Sequence, residues 1–340
     1  MINAQKLKCH ARETGIDELR ITTAQAFSDA RERINEQVDE HLFLNPERWS
    51  RTSNRNFCDI HYQRSDARTI ITACLCYYTD EPRDGSRPGD PHGMIARYTW
   101  RNHYRELRNR LRKLARFLKK EYRAMFRVYS NGPLTEKAAA QRSGIGYYGK
   151  HSIIVHPRFG SWIVLGEIIT DIEIEPDQAL PDDCGTCHLC MDACPTRAII
   201  RPYIIDRRRC IQALANWPGE IPEDIMAVWG KRLYGCSICQ DACPVNKTVK
   251  PFDRPRTEIG NVGPSLSLLD ILRIDDKTYR TAYADNQITA AWINFPAIKR
   301  NALICLGHTG GPSALGMVRE FTGHDDSIIA AAARWALNRL

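Results

Sequence analysis

Two cysteine runs constrain this chain more than any other feature. The first is Cys184-x2-Cys187-x2-Cys190-x3-Cys194-Pro195. The second, Cys236-x2-Cys239-x3-Cys243-Pro244, lacks one cysteine of that pattern. Spacing of this kind lets three thiolates reach one cubane from a tight loop, while the cysteine before the proline ligates the other cluster. Cys210, upstream of the second run, supplies the missing ligand. Crossing the runs gives two sets of four: Cys184, Cys187, Cys190 and Cys243, and Cys194, Cys210, Cys236 and Cys239. The expected cofactors are two [4Fe–4S] clusters. A pair of four-cysteine zinc sites is the competing reading, since CxxC pairs also serve tetrahedral zinc. Repetition of the run with its trailing proline favours clusters. Cys9, Cys58, Cys74, Cys76 and Cys305 lie outside the pattern and are expected as small buried hydrophobes.

With 340 residues, the chain has room for two domains or one large domain with an appendage. Hydrophobic residues make up 43% and charged residues 26%, a globular composition that argues against wholesale disorder. No apolar run approaches the roughly 18 residues of a membrane helix. The polar stretch from Met1 to Leu19 has no signal-peptide core, so a cytoplasmic protein is expected. Thirteen cysteines in that reducing compartment point to metal or redox work instead of disulfides. Of the net charge of +8, the segment Arg105 to Arg123 carries +7. One basic element suggests a polyanion partner.

The pattern along the chain predicts a mixed architecture. Residues 1–60 read as polar and helical, with Thr22 or Thr23 capping a helix from Ala24 to Val38. Thr69 to Tyr78 reads as a buried strand, and Asp80 to Gly93 as a loop. Leu107, Leu111, Leu114 and Leu118 recur at helical spacing, making the basic segment an amphipathic helix. A helix is expected over Leu134 to Ser143, and strands over Ser152 to Val155 and Trp162 to Asp171. The fold class is α/β (α+β) over 1–175, followed by a two-cluster ferredoxin-like domain over 176–250. Residues 251–340 form a connection and two helices around His308-Thr309-Gly310-Gly311-Pro312, similar to a HEAT-type repeat. Clusters pass single electrons, so a further group near the first domain must turn electrons into chemistry.

The chain resembles the epoxyqueuosine reductase family, the cobalamin-dependent iron–sulfur enzymes of queuosine tRNA biosynthesis. The resemblance runs from Glu13-Thr14-Gly15-Ile16-Asp17 through Ile95-Ala96-Arg97-Tyr98, Gly132-Pro133-Leu134-Thr135-Glu136-Lys137 and Gly144-Ile145-Gly146-Tyr147. It continues through Gly149-Lys150-His151, Phe159-Gly160-Ser161-Trp162 and Leu165-Gly166-Glu167. It ends in Arg232-Leu233-Tyr234-Gly235-Cys236, Asp241-Ala242-Cys243-Pro244 and the C-terminal repeat.

The resemblance implies base-off cobalamin in the first domain, with Arg97, Lys150, His151, Ser161 and Trp162 around it. The substrate is then an epoxide on the wobble base of tRNA, gripped through its anticodon stem-loop. Deoxygenation to an alkene takes two electrons and two protons, with an external donor such as flavodoxin or ferredoxin. The implied enzyme is an oxidoreductase, a monomer with no membrane role. Phosphate contacts are expected from the basic helix, Arg207-Arg208-Arg209 and Lys231-Arg232, and base stacking from Trp217 and Tyr234.

Four departures surround the expected active site. The family's aspartate proton donor aligns with Ser130, an unactivated hydroxyl, and Glu136 is the nearest carboxyl to replace it. Gln212-Ala213-Leu214-Ala215-Asn216-Trp217 replaces a Ser-Tyr-Leu-Thr type of stretch. Ser237-Ile238 stands where an acidic residue is common, and His103-Tyr104-Arg105 where Asp-Tyr-His is usual. The alternatives they raise are a corrinoid reductase of a small molecule, or a non-catalytic electron carrier.

Overall fold

A computed structural model describes residues 3–133, 135–181, 184–251 and 257–340. The N-terminal half contains helices α1 (Ala4–Glu13), α2 (Ser28–Asp39), α3 (Arg51–Cys58), α4 (His103–Tyr122) and α5 (Glu136–Ser143). Its strands are β1 (Glu18–Thr23), β2 (Thr69–Cys76), β3 (His92–Ile95), β4 (Phe126–Tyr129), β5 (Tyr147–Tyr148), β6 (Ile154–Val155) and β7 (Ile163–Thr170). The main sheet has the order β1-β2-β7-β4, and every pairing in it is antiparallel. The mixed architecture is therefore α+β: antiparallel neighbours need no helical crossover between them.

Every residue of β2 is buried, because helices cover both faces of the sheet. Side chains alternate between the faces. Ile71 and Ile168 join Leu107, Leu111, Leu114 and Leu118 of α4 in one cluster. Ile70 and Ile169 join Ala138 and Ala139 of α5 in another. The basic helix is thus anchored by its leucine stripe, as its periodicity predicts.

Three expectations change here. The region read as helical holds β1, because Leu19 and Ile21 alternate inward and pair with β2. Thr22 and Thr23 therefore cap nothing, and α2 starts only at Ser28, with no side-chain bond from Phe27 at its cap. The loop Asp80 to Gly93 ends in β3, a strand set by partners far away in sequence. Leu134, the expected start of α5, lies outside the described residues. Cys9 is exposed, whereas Cys58, Cys74, Cys76 and Cys305 are buried.

The cysteine segment is built from short pieces: α6 (Leu189–Asp192), α7 (Ile211–Leu214), α8 (Glu223–Met226), α9 (Ile238–Asp241), α10 (Pro244–Lys247), β8 (Ile199–Arg201), β9 (Ile204–Ile205) and β10 (Arg232–Tyr234). Then come β11 (Ser265–Ser267), α11 (Leu268–Arg273), α12 (Asp276–Ala282), α13 (Phe295–Thr309), α14 (Pro312–Phe321) and α15 (Ser327–Leu337). Around His308 to Pro312 and beyond there are three helices, α13, α14 and α15, where two were expected. Asp326 accepts from the N–H groups of Ile328 and Ile329, which starts a separate α15.

A three-stranded sheet β10-β3-β11 joins the N-terminal half, the cysteine segment and the C-terminal part. One apolar core likewise runs across residue 250, from Ile95 and Trp100 through Leu233 to Trp335. Buried Arg300 of α13 fastens it. Its guanidinium donates to the carbonyls of Leu214 (2.9 Å), Trp217 (2.5 Å) and Gly219 (2.6 Å). Asn301 donates to the carbonyls of Ala215 (2.8 Å) and Leu233 (3.0 Å).

Candidate active site

The cysteines of the two runs and Cys210 face one another. Cys190 lies in the field of Cys184, Cys187 and Cys243. Cys239 lies in that of Cys236, Cys210, Cys190 and Cys194, and Cys210 in that of Cys236 and Cys194. Among the described residues, no group of three or more His, Cys, Asp or Glu side chains is placed to hold a single metal ion.

Lys150 belongs to this centre. Its Nζ donates to the carbonyls of Gly185 (2.7 Å) and Cys187 (2.8 Å), so it clamps the loop of the first run. Ser161 is held at the second cysteine run. It is fully buried, and its Oγ accepts from Gln240 Nε2 (3.0 Å) and Asn246 Nδ2 (2.8 Å). Ser161 N donates to Asn246 Oδ1 (2.7 Å). The Phe159-Gly160-Ser161-Trp162 segment is thus bolted to the second cysteine run. Sequence reasoning missed Gln240 and Asn246, which lie among and just beyond the cysteines.

Arg97 and Trp162 meet in a buried aromatic nest. The Arg97 guanidinium lies 4.9 Å from the Tyr78 ring centroid, 4.7 Å from Trp100 and 5.9 Å from Trp162. It donates to the Thr79 carbonyl at 2.6 Å. Arg97 Nε, Thr79 Oγ1 and Trp162 Nε1 are buried without hydrogen-bond partners. His151 is buried too: its Nδ1 accepts from Ile153 N (3.2 Å) and its Nε2 has no partner. Burial, with Lys137 nearby, pulls its pKa down to about 4, so the ring is neutral.

Tyr98, next to Arg97 in the chain, is tied to the second cysteine run. Gln212 bridges them, donating to Tyr98 Oη (2.7 Å) and accepting from Cys236 N (3.1 Å). The rings of Tyr98 and Tyr104 are 6.4 Å apart, and Tyr104 feels the charge of Glu136. Glu136 opens α5, and its Oε1 accepts from Gly132 N (2.9 Å). Although half-buried, it is enclosed enough for desolvation to raise its pKa to about 7. Lys137 is exposed and donates to the Ser152 carbonyl at 2.8 Å. Behind Glu136 lies Glu167 of β7, which is 1% exposed with neither carboxylate oxygen partnered. Burial first, and then the charge of Glu136, holds its pKa well above the usual carboxylate range.

Ser130 is enclosed in the sheet. It is fully buried, and its Oγ donates to the Leu165 carbonyl at 2.7 Å. Its own carbonyl accepts from Arg108 at 2.7 Å. The hydroxyl at the expected donor position is therefore consumed by the sheet.

Comparisons with known proteins agree with this geometry. Residues 183–246 match the model of a 4Fe-4S double cluster binding domain, and residues 58–130 that of epoxyqueuosine reductase QueG. The epoxyqueuosine reductase of Bacillus subtilis (strain 168) is 31% identical over 97% of this chain and 86% of its own. The chain belongs to the epoxyqueuosine reductase family. A crystal structure of epoxyqueuosine reductase with an epoxyqueuosine-modified tRNA-Tyr stem loop superposes with a TM-score of 0.87 at 28% identity, covering 98% of this chain and 89% of that one. A Bacillus subtilis structure, described by a catalytic aspartate loop swung out of its active site, gives 0.85 at 30% identity over the same shares.

Most basic residues beside the cysteine runs are paired within the chain. Arg208 is paired with Asp206 (2.9 Å), Arg209 with Asp224 (2.7 Å) and Lys231 with Asp84 (2.8 Å). Arg207 packs over Phe43 and Trp49, and Arg232 bonds to the Trp229 carbonyl. These residues are occupied internally instead of offering a free phosphate track. Tyr234 is buried in the core, and Trp217 is half-buried beneath Arg300. The exposed tryptophan is Trp292, at 61%. On α4, exposed Arg112, Lys113, Arg116, Lys119 and Lys120 form no ion pair among the described residues.

Proposed function

We propose that this protein reduces epoxyqueuosine to queuosine at the wobble position of tRNA. The observation that carries the reading is the Gln212 bridge, which ties Tyr98, edge-on to Tyr104, to the loop of the second cysteine run. Two [4Fe–4S] clusters are held by Cys184, Cys187, Cys190 and Cys243, and by Cys194, Cys210, Cys236 and Cys239. A corrinoid fits beside them. Orphaned polar atoms of Arg97, Thr79, Trp162 and His151 need partners that the chain does not supply, and corrin amides carry both donors and acceptors. Bound there, cobalamin supplies the two-electron chemistry that single-electron clusters lack. The chain's own residues orient the substrate, exclude water and deliver protons.

We read the chain as three functional parts. Residues 1–175 bind corrinoid and substrate, 176–250 carry the clusters, and 251–340 form a HEAT-like helical support. The unpaired outer face of α4 is the candidate track for tRNA phosphates, and exposed Trp292 the candidate stacking surface. An external flavodoxin or ferredoxin supplies electrons to a monomer in the cytoplasm. No helix among the described residues is long and apolar enough to cross a membrane.

The test is anaerobic. Reconstituted protein, cobalamin and a strong reductant are mixed with tRNA carrying epoxyqueuosine, and digested nucleosides are read by mass spectrometry. Appearance of queuosine supports the reading. No product, with corrinoid bound and clusters intact, sinks it in favour of another substrate.

A further inference from the structure

We propose that Lys150 sets the reduction potential of the cluster held by the first cysteine run, raising it above what the four cysteines alone would give. This rests on the ligand set assigned above, Cys184, Cys187, Cys190 and Cys243.

Geometry fixes where the charge sits. Lys150 Nζ donates to the carbonyls of Gly185 (2.7 Å) and Cys187 (2.8 Å), on either side of Thr186. That stretch is a tight turn. Cys187 N donates to the Cys184 carbonyl at 2.9 Å, and Gly185 takes a φ of +44°. Lys150 is itself held at its backbone, where its carbonyl accepts from Tyr203 N at 2.9 Å in the turn between β8 and β9. The next residue, His151, is buried. The side chain therefore reaches the cysteine turn from a fixed base.

A cation held there favours the state with one more electron. Reduction passes one electron from an external one-electron carrier to the cluster, with no bond made or broken. The added negative charge is attracted to the ammonium. The same two hydrogen bonds also fix the peptide dipoles of the turn. A trans peptide points its N–H opposite its carbonyl, so the N–H groups of Thr186 and His188 are turned away from Nζ. Local charge and hydrogen bonding are levers on cluster potential. Cys184 registers the field: burial raises the pKa of its thiol, and the backbone and ammonium of Lys150 oppose that rise.

The charge is not cancelled nearby. Lys150 forms no ion pair among the described residues, and Asp192 of the same run is paired with His188 at 3.2 Å. In the matching interval of the second run, Ser237 donates instead to Asp241 (2.9 Å), which Arg83 holds at 2.7 Å. The lysine bonds to the first run, so the two clusters should respond differently to a change at position 150.

The test is potentiometric and needs no turnover. Reconstituted full-length protein is poised anaerobically against redox dyes and read by electron paramagnetic resonance. Lys150→Met removes the charge and both bonds, whereas Lys150→Gln removes the charge and keeps a donor amide. Each should lower the reduced-to-oxidised ratio of one cluster about tenfold at a fixed poise, about 59 mV for one electron. The other cluster should stay within about twofold, and iron should stay at about eight per chain. Lys150→Arg, which keeps the charge, should shift far less than Lys150→Met. The cluster that shifts should be the one whose signal Cys187→Ala removes. Shifts under about twofold in both neutral variants at full iron content overturn the proposal, as does an equal shift of both clusters or a Lys150→Arg shift as large as that of Lys150→Met. Loss of iron from both neutral variants overturns it too, leaving Lys150 a structural clamp. Cys187→Ala that keeps both cluster signals overturns the ligand assignment instead.

Discussion

Glu167 shows how one buried residue ties stability to pH. Charged side chains are almost never fully buried unless paired, and this one sits mid-strand among Ile163, Val164, Ile168 and Ile169 without a partner. Its folded pKa lies above the unfolded value of 4.5. As pH rises past that value, the unfolded chain ionises and gains stability, while the folded chain does not. Wild-type stability therefore falls as pH rises from 4.5 towards the folded pKa. Glu167→Gln removes the titration. The variant's Tm relative to wild type should climb by several degrees between about pH 4 and about pH 8. A pH-independent difference in thermal melts would refute this. A glutamate inside an aliphatic strand was visible in the sequence as a costly choice. That its neighbour is Glu136 was not, because the two lie on different elements.

At the scale of elements, the bolt between the turn before β7 and the second cysteine run sets the geometry between sheet and clusters. Ser161→Ala would leave the Asn246 amide short of an acceptor in a buried place, at a cost of about 1–3 kcal/mol. Chemical denaturation should register that destabilisation, and cluster content should become heat-labile at lower temperature than in wild type. Gly160 belongs to the same joint. Its φ is +57°, and an added Cβ would meet Asn246 Oδ1 at 2.0 Å. Helix α4 makes a separate prediction. Converting Arg112, Arg116 and Lys119 to Glu leaves the buried leucine stripe untouched, so the fold should persist. tRNA binding should weaken, and its salt dependence should flatten by nearly one unit of log–log slope for each phosphate no longer neutralised. Unchanged binding across a salt series would remove α4 from the interface.

The whole molecule is held together by connections that ignore chain order. The crossed cysteine sets predict non-additive effects on iron content. Cys194→Ser and Cys236→Ser should each remove the same cluster, and the double variant should retain about four irons per chain out of about eight. Cys190→Ser combined with Cys194→Ser should lose both clusters. Iron analysis and electron paramagnetic resonance would decide, and equal iron content in both doubles would overturn the crossing. The sheet β10-β3-β11 and the Arg300 clamp carry this connectivity into the C-terminal helices, which share one core with the cysteine segment.

The sequence by itself determined what depends on local spacing. Cysteine intervals specified the clusters, leucine periodicity specified α4, and the apolar run from Thr69 specified β2. Motifs spread along the chain specified the family. Only the tertiary structure decided where polar side chains spend their hydrogen bonds. Lys150, Ser161 and Ser130 stood at positions the resemblance assigned to cofactor or catalysis, yet each is committed to backbone or amide groups distant in sequence. β1 and β3 were likewise unreadable, since a strand's stability comes from partners that local propensity does not name. Folding brings Glu136 of α5 and Glu167 of β7, 31 residues apart in the chain, into each other's field. Burial then gives each a proton affinity that neither has in the sequence alone.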